Sequence, residues 1–164
     1  MRTYSVSIII ILILFTQSCT KDSVDDNFIS NQIDLSLANE TNHEVANAIL
    51  LRINSYRQDL NLNSIQLDGT YATAYAVEHT KYMIENNTIS HDFFYKRKNG
   101  LKAVGAIEVA ENVAYGYSSA ESAFNAWLNS LSHKRVIEGN FTHVGIGVLV
   151  DSNDKPYYTC LFYN

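Results

Sequence analysis

The chain has 164 residues, of which 46% are hydrophobic and 18% charged, the balance of a globular protein rather than a disordered one. Its formal net charge is −5 and its longest basic run is Lys96-Arg97-Lys98, which leaves no phosphate-tracking surface and excludes nucleic acid as an expected partner. Eleven Tyr and a single Pro point to an ordered, aromatic-rich body, and the length past residue 40 suffices for one compact domain with a core but not for two.

At the N-terminus, Arg2 precedes an apolar run from Val6 to Phe15 that only Ser7 interrupts. The run is short for a bilayer span and has the charged-then-apolar order of an export signal. It stops at Thr16-Gln17-Ser18-Cys19, which resembles a bacterial lipoprotein signal: residues 1–18 would be the signal peptide and Cys19 the lipidated residue. A short signal anchor with an incidental cysteine is the plainer alternative. Residues 19–40, with Lys21, Asp22, Asp25 and Asp26, read as a flexible tether. The expected location is therefore the cell envelope, outside the cytoplasm, with the membrane engaged through Cys19. The second cysteine, Cys160, lies in the apolar and aromatic run Tyr157 to Phe162 and reads as a small buried hydrophobe. With Cys19 acylated, no intrachain disulfide is expected.

The folded domain is expected over residues 41–164. Thr41-Asn42-His43-Glu44 has the pattern of a capping box, with Thr41 as the cap. The helix that follows, to about Gln58, carries Val45, Ala46, Ile49, Leu50, Ile53 and Tyr56 on one stripe. Asp68 can cap a second helix from about Thr70 to Glu85, with Ala72, Ala76, His79 and Met83 on one face, so His79 reads as a packed core histidine. Asn86-Asn87-Thr88 breaks the pattern and delivers Ser90-His91 to a loop flanked by Phe93, Phe94 and Tyr95, placed to face a cleft; a surface histidine is the plainer reading. Lys96 to Gly100 reads as a basic, solvated loop.

Ala106 to Tyr117 alternates as a strand, with Glu111 on the apolar parity and Glu108 on the other. A carboxylate on the buried side is costly unless paired, so Glu111 calls for a partner such as His or Asn. Ser118-Ser119-Ala120-Glu121 has the pattern of another capping box, before a helix with Ala120, Phe124 and Trp127 on its apolar face that ends near Ser130; His133 follows that end. Val144 to Val150, a turn over 151–154, and Tyr157 to Tyr163 form a closing hairpin. The order of elements predicts an α+β fold, a mostly antiparallel sheet covered by helices.

Several pieces in order then carry a resemblance: Asn54-Ser55-Tyr56-Arg57, Ser90-His91, Glu111-Asn112-Val113-Ala114-Tyr115-Gly116, Trp127-Leu128-Asn129-Ser130, His133-Lys134 and Val144-Gly145-Ile146-Gly147. Residues 43 to 164 are similar to the bacterial branch of the CAP superfamily, which groups cysteine-rich secretory proteins, venom antigens and plant pathogenesis-related proteins. The resemblance implies an α-β-α sandwich with a cleft lined by His91, Glu111 and His133. Ser130 falls where animal members carry a second Glu. Ala110 replaces the Gly before the motif's Glu, and Leu131-Ser132 replaces a Pro-Gly that often precedes the second His. Asn112, Ser130 and His143 are candidates for contact with a ligand, His143 equally for sheet packing.

Two imidazoles within reach of one ion can bind a divalent metal such as Zn²⁺ or Mg²⁺, with Glu111 as a third ligand or behind them; without a metal, Glu111 can orient a histidine base. No certain cofactor is expected. Two functions stand on these residues. One is a binding module for a peptide, glycan or lipid; the other is a metal-assisted hydrolase of peptide or cell-envelope material, with His91 and His133 as ligands and Glu111 as general base. A satisfied buried polar network with no ligand is the third reading.

Overall fold

The computed structural model describes residues 33–164. The signal segment, Cys19 and the first part of the expected tether lie outside the described residues. A 3₁₀ turn at Leu35–Glu40 precedes α1 (His43–Asp59), β1 (Gln66–Leu67), α2 (Tyr71–Glu85) and α3 (Phe94–Ala103). Then come β2 (Val109–Tyr115), α4 (Ala120–Asn129), α5 (Leu131–Ile137), β3 (His143–Val150) and β4 (Pro156–Tyr163). Among the described residues, no helix is long and apolar enough to cross a membrane.

The strand order is β1-β3-β4-β2, with β1 parallel to β3 and the other two pairings antiparallel. The α+β expectation is met, and helices cover both faces of the sheet. On one face Val144, Ile146, Val148, Cys160 and Phe162 pack with Ile49 and Ile53 of α1 and with Phe124 and Trp127 of α4. On the other, Leu161 packs with Ala72 and Ala76 of α2 and Leu101 of α3. Alternation along each strand assigns its side chains to the two layers in turn.

That second layer is unusually close. A Cβ at Gly145 would overlap the carbonyl carbon of Ala72, and one at Gly147 would lie 2.6 Å from the carbonyl carbon of Ala76. Glycine on the strand and alanine on the helix let the two backbones touch. Thr80 Oγ1 donates to Ala76 O at 2.8 Å and accepts from the Thr159 hydroxyl at 2.9 Å, joining α2 to the middle of β4.

Several boundaries differ from the sequence expectation. The tether expected over 19–40 does not extend to residue 40: Ile33 and Ala38 are buried against α2 and α3, and Lys81 pairs with Glu40. Apolar residues in that stretch found a surface to cover. Thr41 does not cap α1; Asn42 does, accepting from Val45 N, while Thr41 Oγ1 donates to Ile146 O and accepts from Val148 N. The cap of α4 is Ser119, whose hydroxyl bonds Ser122, rather than Ser118. In both cases the neighbouring residue had the same kind of cap chemistry, and at Thr41 the sheet decided between them. Asp68 does supply the start of α2, accepting from Thr70 N and Ala72 N. Lys96 to Gly100 is not a loop but the body of α3, and His133 lies within α5 rather than beyond a helix end.

Candidate functional site

The site forms along β2, the edge strand of the sheet. Glu111 and Asn112 are adjacent, so their side chains leave opposite faces of the strand. Glu111 turns toward α2 and α3; Asn112 turns toward α5. Glu111 holds the His91 imidazole, and Asn112 holds the backbone at His133.

On its side, Glu111 is at the centre of a buried charge cluster. Arg97 Nε donates to Oε2 at 2.6 Å and Arg97 Nη2 to Oε1 at 2.8 Å, a two-pronged contact that suits a planar guanidinium. His91 Nδ1 lies 2.8 Å from Oε1, and His79 Nε2 is 3.9 Å from the same oxygen. The Glu111 carboxylate is 2% exposed, whereas the His91 side chain is 50% exposed. Burial alone would push the Glu111 carboxyl up. Hydrogen bonds from His91 and Arg97 and the guanidinium charge outweigh burial and hold the carboxyl below its ordinary value. Burial pushes His79 below its ordinary value against the pull of Glu111, and its Nε2 bonds Ser90 O at 2.7 Å. A neutral His79 therefore pins the loop that carries His91.

Asn112 works on the opposite face. Its Nδ2 donates to His133 O at 3.0 Å, tying α5 to β2, and Trp127 Nε1 donates to Val113 O at 2.9 Å one residue along. Asn112 Oδ1 is the one buried side-chain polar atom among the described residues without a partner. The imidazole of His133 is pushed below its ordinary value by burial and then by the nearby His91.

Ser130 joins α4 to α5 and lies 3.1 Å from Ser132 through their hydroxyls. It is half-buried, three residues before His133. His143 lies elsewhere: it begins β3, which β4 separates from β2, and it stacks on Tyr163 with ring centroids 5.0 Å apart. Of its two expected roles, it takes sheet packing. Cys160 is fully buried, and burial pushes its thiol far up, so it is not a nucleophile.

Arg97 was absent from the expected site. It sat in what reads as a solvated basic run, yet Arg97 and Leu101 are the buried residues of α3. Two signals pointed to it: the four-residue spacing to Leu101, and the demand of a buried Glu111 for a cation.

Among the described residues, no group of three or more His, Cys, Asp or Glu side chains is arranged to hold a metal ion. Both Glu111 oxygens are taken by Arg97 and His91. The His91 and His133 imidazoles are not tied up in this way.

Comparison with known proteins agrees with this architecture. The model of the cysteine-rich secretory protein family, CAP, matches residues 50–162. The uncharacterized membrane protein YlbC of Bacillus subtilis is 35% identical over 91 residues, covering 51% of this chain and 24% of YlbC. This chain therefore spans about a quarter of that curated relative's length. An outer surface protein of Borrelia burgdorferi superposes with a TM-score of 0.67 at 26% identity, over 74% of this chain and 93% of that one. An extracellular protein of Bacillus anthracis containing an SCP domain gives a TM-score of 0.62 at 30% identity, over 71% of this chain and 39% of that one. With helices layered on both faces of the sheet and a His/Glu cluster at its edge, the chain belongs to the cysteine-rich secretory protein (CAP) family.

Proposed function

We propose that this is an extracytoplasmic, lipid-anchored binding module, which takes an external peptide, glycan or lipid into the cleft between His91 and His133. The observation that carries this reading is the commitment of Glu111. A general base needs a free lone pair aimed at the proton it removes, and both Glu111 oxygens are engaged inside the fold. Glu111 holds an imidazole in place instead. The serines near His133 offer no alternative: Ser130 and Ser132 bond each other at an exposed helix junction, without the strand-to-helix elbow that presents a nucleophile.

The surroundings support binding. Ile89, Phe93 and Tyr95 beside His91, and Leu131 beside His133, are exposed apolar side chains close in sequence to the two polar anchors. If a divalent ion joins the site, His91 and His133 are the side chains that would hold it, with Glu111 orienting His91 from behind and the remaining positions open to water or ligand. Anchoring through Cys19 is supported by the order of the N-terminal sequence, and exposure outside the cytoplasm by the surface and extracellular relatives.

The test compares the full chain with a His91→Ala/His133→Ala double variant by calorimetry. The probes are a chito-oligosaccharide, an uncharged peptide mixture, phosphatidylglycerol vesicles and Zn²⁺. Saturable binding to one of them, lost in the double variant and accompanied by no product, is expected. Turnover of a probe that Glu111→Gln abolishes would overturn the binding reading in favour of a hydrolase, and absence of binding to every probe would leave the cluster as a structural network.

A further inference from the structure

Arg97 does more than neutralise Glu111. Besides its two bonds to the carboxylate, its Nη1 donates to Asp92 O at 2.9 Å, and Asp92 directly follows His91. One guanidinium, 4% exposed, therefore ties together α3, the edge strand and the loop that presents the imidazole.

The chemistry of that cluster fixes a proton. Glu111 faces two guanidinium N–H groups and is ionised, so it has no hydrogen to give. The 2.8 Å contact with His91 then requires the hydrogen to be on Nδ1. In the neutral ring this leaves Nε2 as a bare lone pair, at the end of the imidazole farthest from the carboxylate. The ring is half exposed, whereas the carboxylate it bonds is buried.

We infer that Arg97 is a positioning residue that locks His91 in the Nδ1–H tautomer, so that the cleft presents a hydrogen-bond acceptor and selects ligands that bring an uncharged donor rather than an anion. The ligand half of this inference rests on the cleft being a binding site; the tautomer half does not. A phosphate or carboxylate would meet a lone pair and find no proton to accept, because the carboxylate behind the ring is already paired with Arg97. The Nε2–H tautomer would have done the reverse.

The experiment is nitrogen-15 NMR of the full chain labelled at histidine, read at about pH 8, above the ordinary histidine value. In the parent, His91 should show a protonated Nδ1 and an unprotonated Nε2, and inorganic phosphate should leave the Nε2 resonance unmoved. Arg97→Met should shift the ring toward the Nε2–H form, while Arg97→Lys, which keeps the charge but not the fork, should retain most of the Nδ1–H form. A parent already in the Nε2–H form would overturn the inference, and this measurement needs no variant to fold. A folded Arg97→Met with the parent tautomer would overturn the role of Arg97. A phosphate-dependent shift of Nε2 would overturn the acceptor selectivity. All three are read without any ligand of the module, so failure to find a ligand is a separate result.

Discussion

Two strands of one sheet are held in place by different physics. Inner strand β3 presents Gly145 and Gly147 to α2, and the helix backbone lies directly on it. Edge strand β2 presents Glu111 to a guanidinium and an imidazole on one face, and Asn112 to a helix carbonyl on the other. Shape fixes the first; charge and hydrogen bonds fix the second. An edge strand has no neighbour to pair its outer side, so directional polar contacts from helices and loops can hold it and still leave an opening. This fold can therefore build a site at its edge without loosening its core.

The largest test of that contrast is Arg97→Met. Stranding a buried carboxylate by removing its partner costs about 3–5 kcal/mol, measured by chemical denaturation near neutral pH. The deficit should shrink in acid, where the unpartnered carboxyl takes up a proton. A cost near zero would mean that β2, like β3, is held by packing. Gly145→Ala comes next, at about 2–3 kcal/mol from overpacking a rigid backbone contact, and this deficit should not depend on pH. Gly69→Ala, where a Cβ meets nothing within 4 Å, is the matched control and should lie near zero.

The acid limb of the stability curve separates the two strands again. Glu111 has a folded value below its unfolded one, so its contribution is present above the unfolded carboxyl value of about 4.3 and is lost as pH falls through the folded value. His79 and His133 are also held below their ordinary value. The unfolded chain then binds more protons than the folded one below about pH 6.5, and stability begins to fall there. Glu111→Gln should flatten the lower part of the limb, whereas Gly145→Ala should lower the whole curve without changing its shape.

Asn112→Ala should cost only about 1 kcal/mol, because it removes the bond to His133 O together with an acceptor that had no partner. Its signature is faster amide exchange in α5 with β3 unaffected. Smallest of all, Lys81→Ala breaks an exposed pair with Glu40 and should change stability by less than about 0.5 kcal/mol. A larger loss would show that the 3₁₀ segment is held by charge rather than by Ile33 and Ala38.

Much of the fold was legible because it rests on periodicity. The stripe Ala46, Ile49, Ile53 gave α1, and strand alternation put Glu111 with Val113 on a buried face, where they lie, although Ile107 and Tyr117 of the same parity are exposed beyond the ends of β2. The site was legible only in part. Three charges in a row, Lys96-Arg97-Lys98, look alike in sequence, and only the α3 helix turns the middle one inward. The strand pattern implied that Glu111 has a partner but could not choose among candidates distant in the chain. The caps expected at Thr41 and Ser118 lie one residue later, at Asn42 and Ser119, for a related reason. Adjacent residues with equal cap chemistry are separated by tertiary demands, as when the β3 backbone claims the Thr41 hydroxyl.

The position of β4 sets the order of events as the chain is made. β2 pairs with β4 alone, and β4 is built from residues 156–163. A chain emerging N-terminus first therefore exposes Glu111 and its edge strand for the whole interval before those last residues arrive. Helices can form early, but the strand that carries Glu111 cannot be paired until synthesis has delivered Pro156 to Tyr163, and pairing across such separations is slow. The cleft is a late product of assembly. A chain stopped short of β4 would keep its helical segments and have no site.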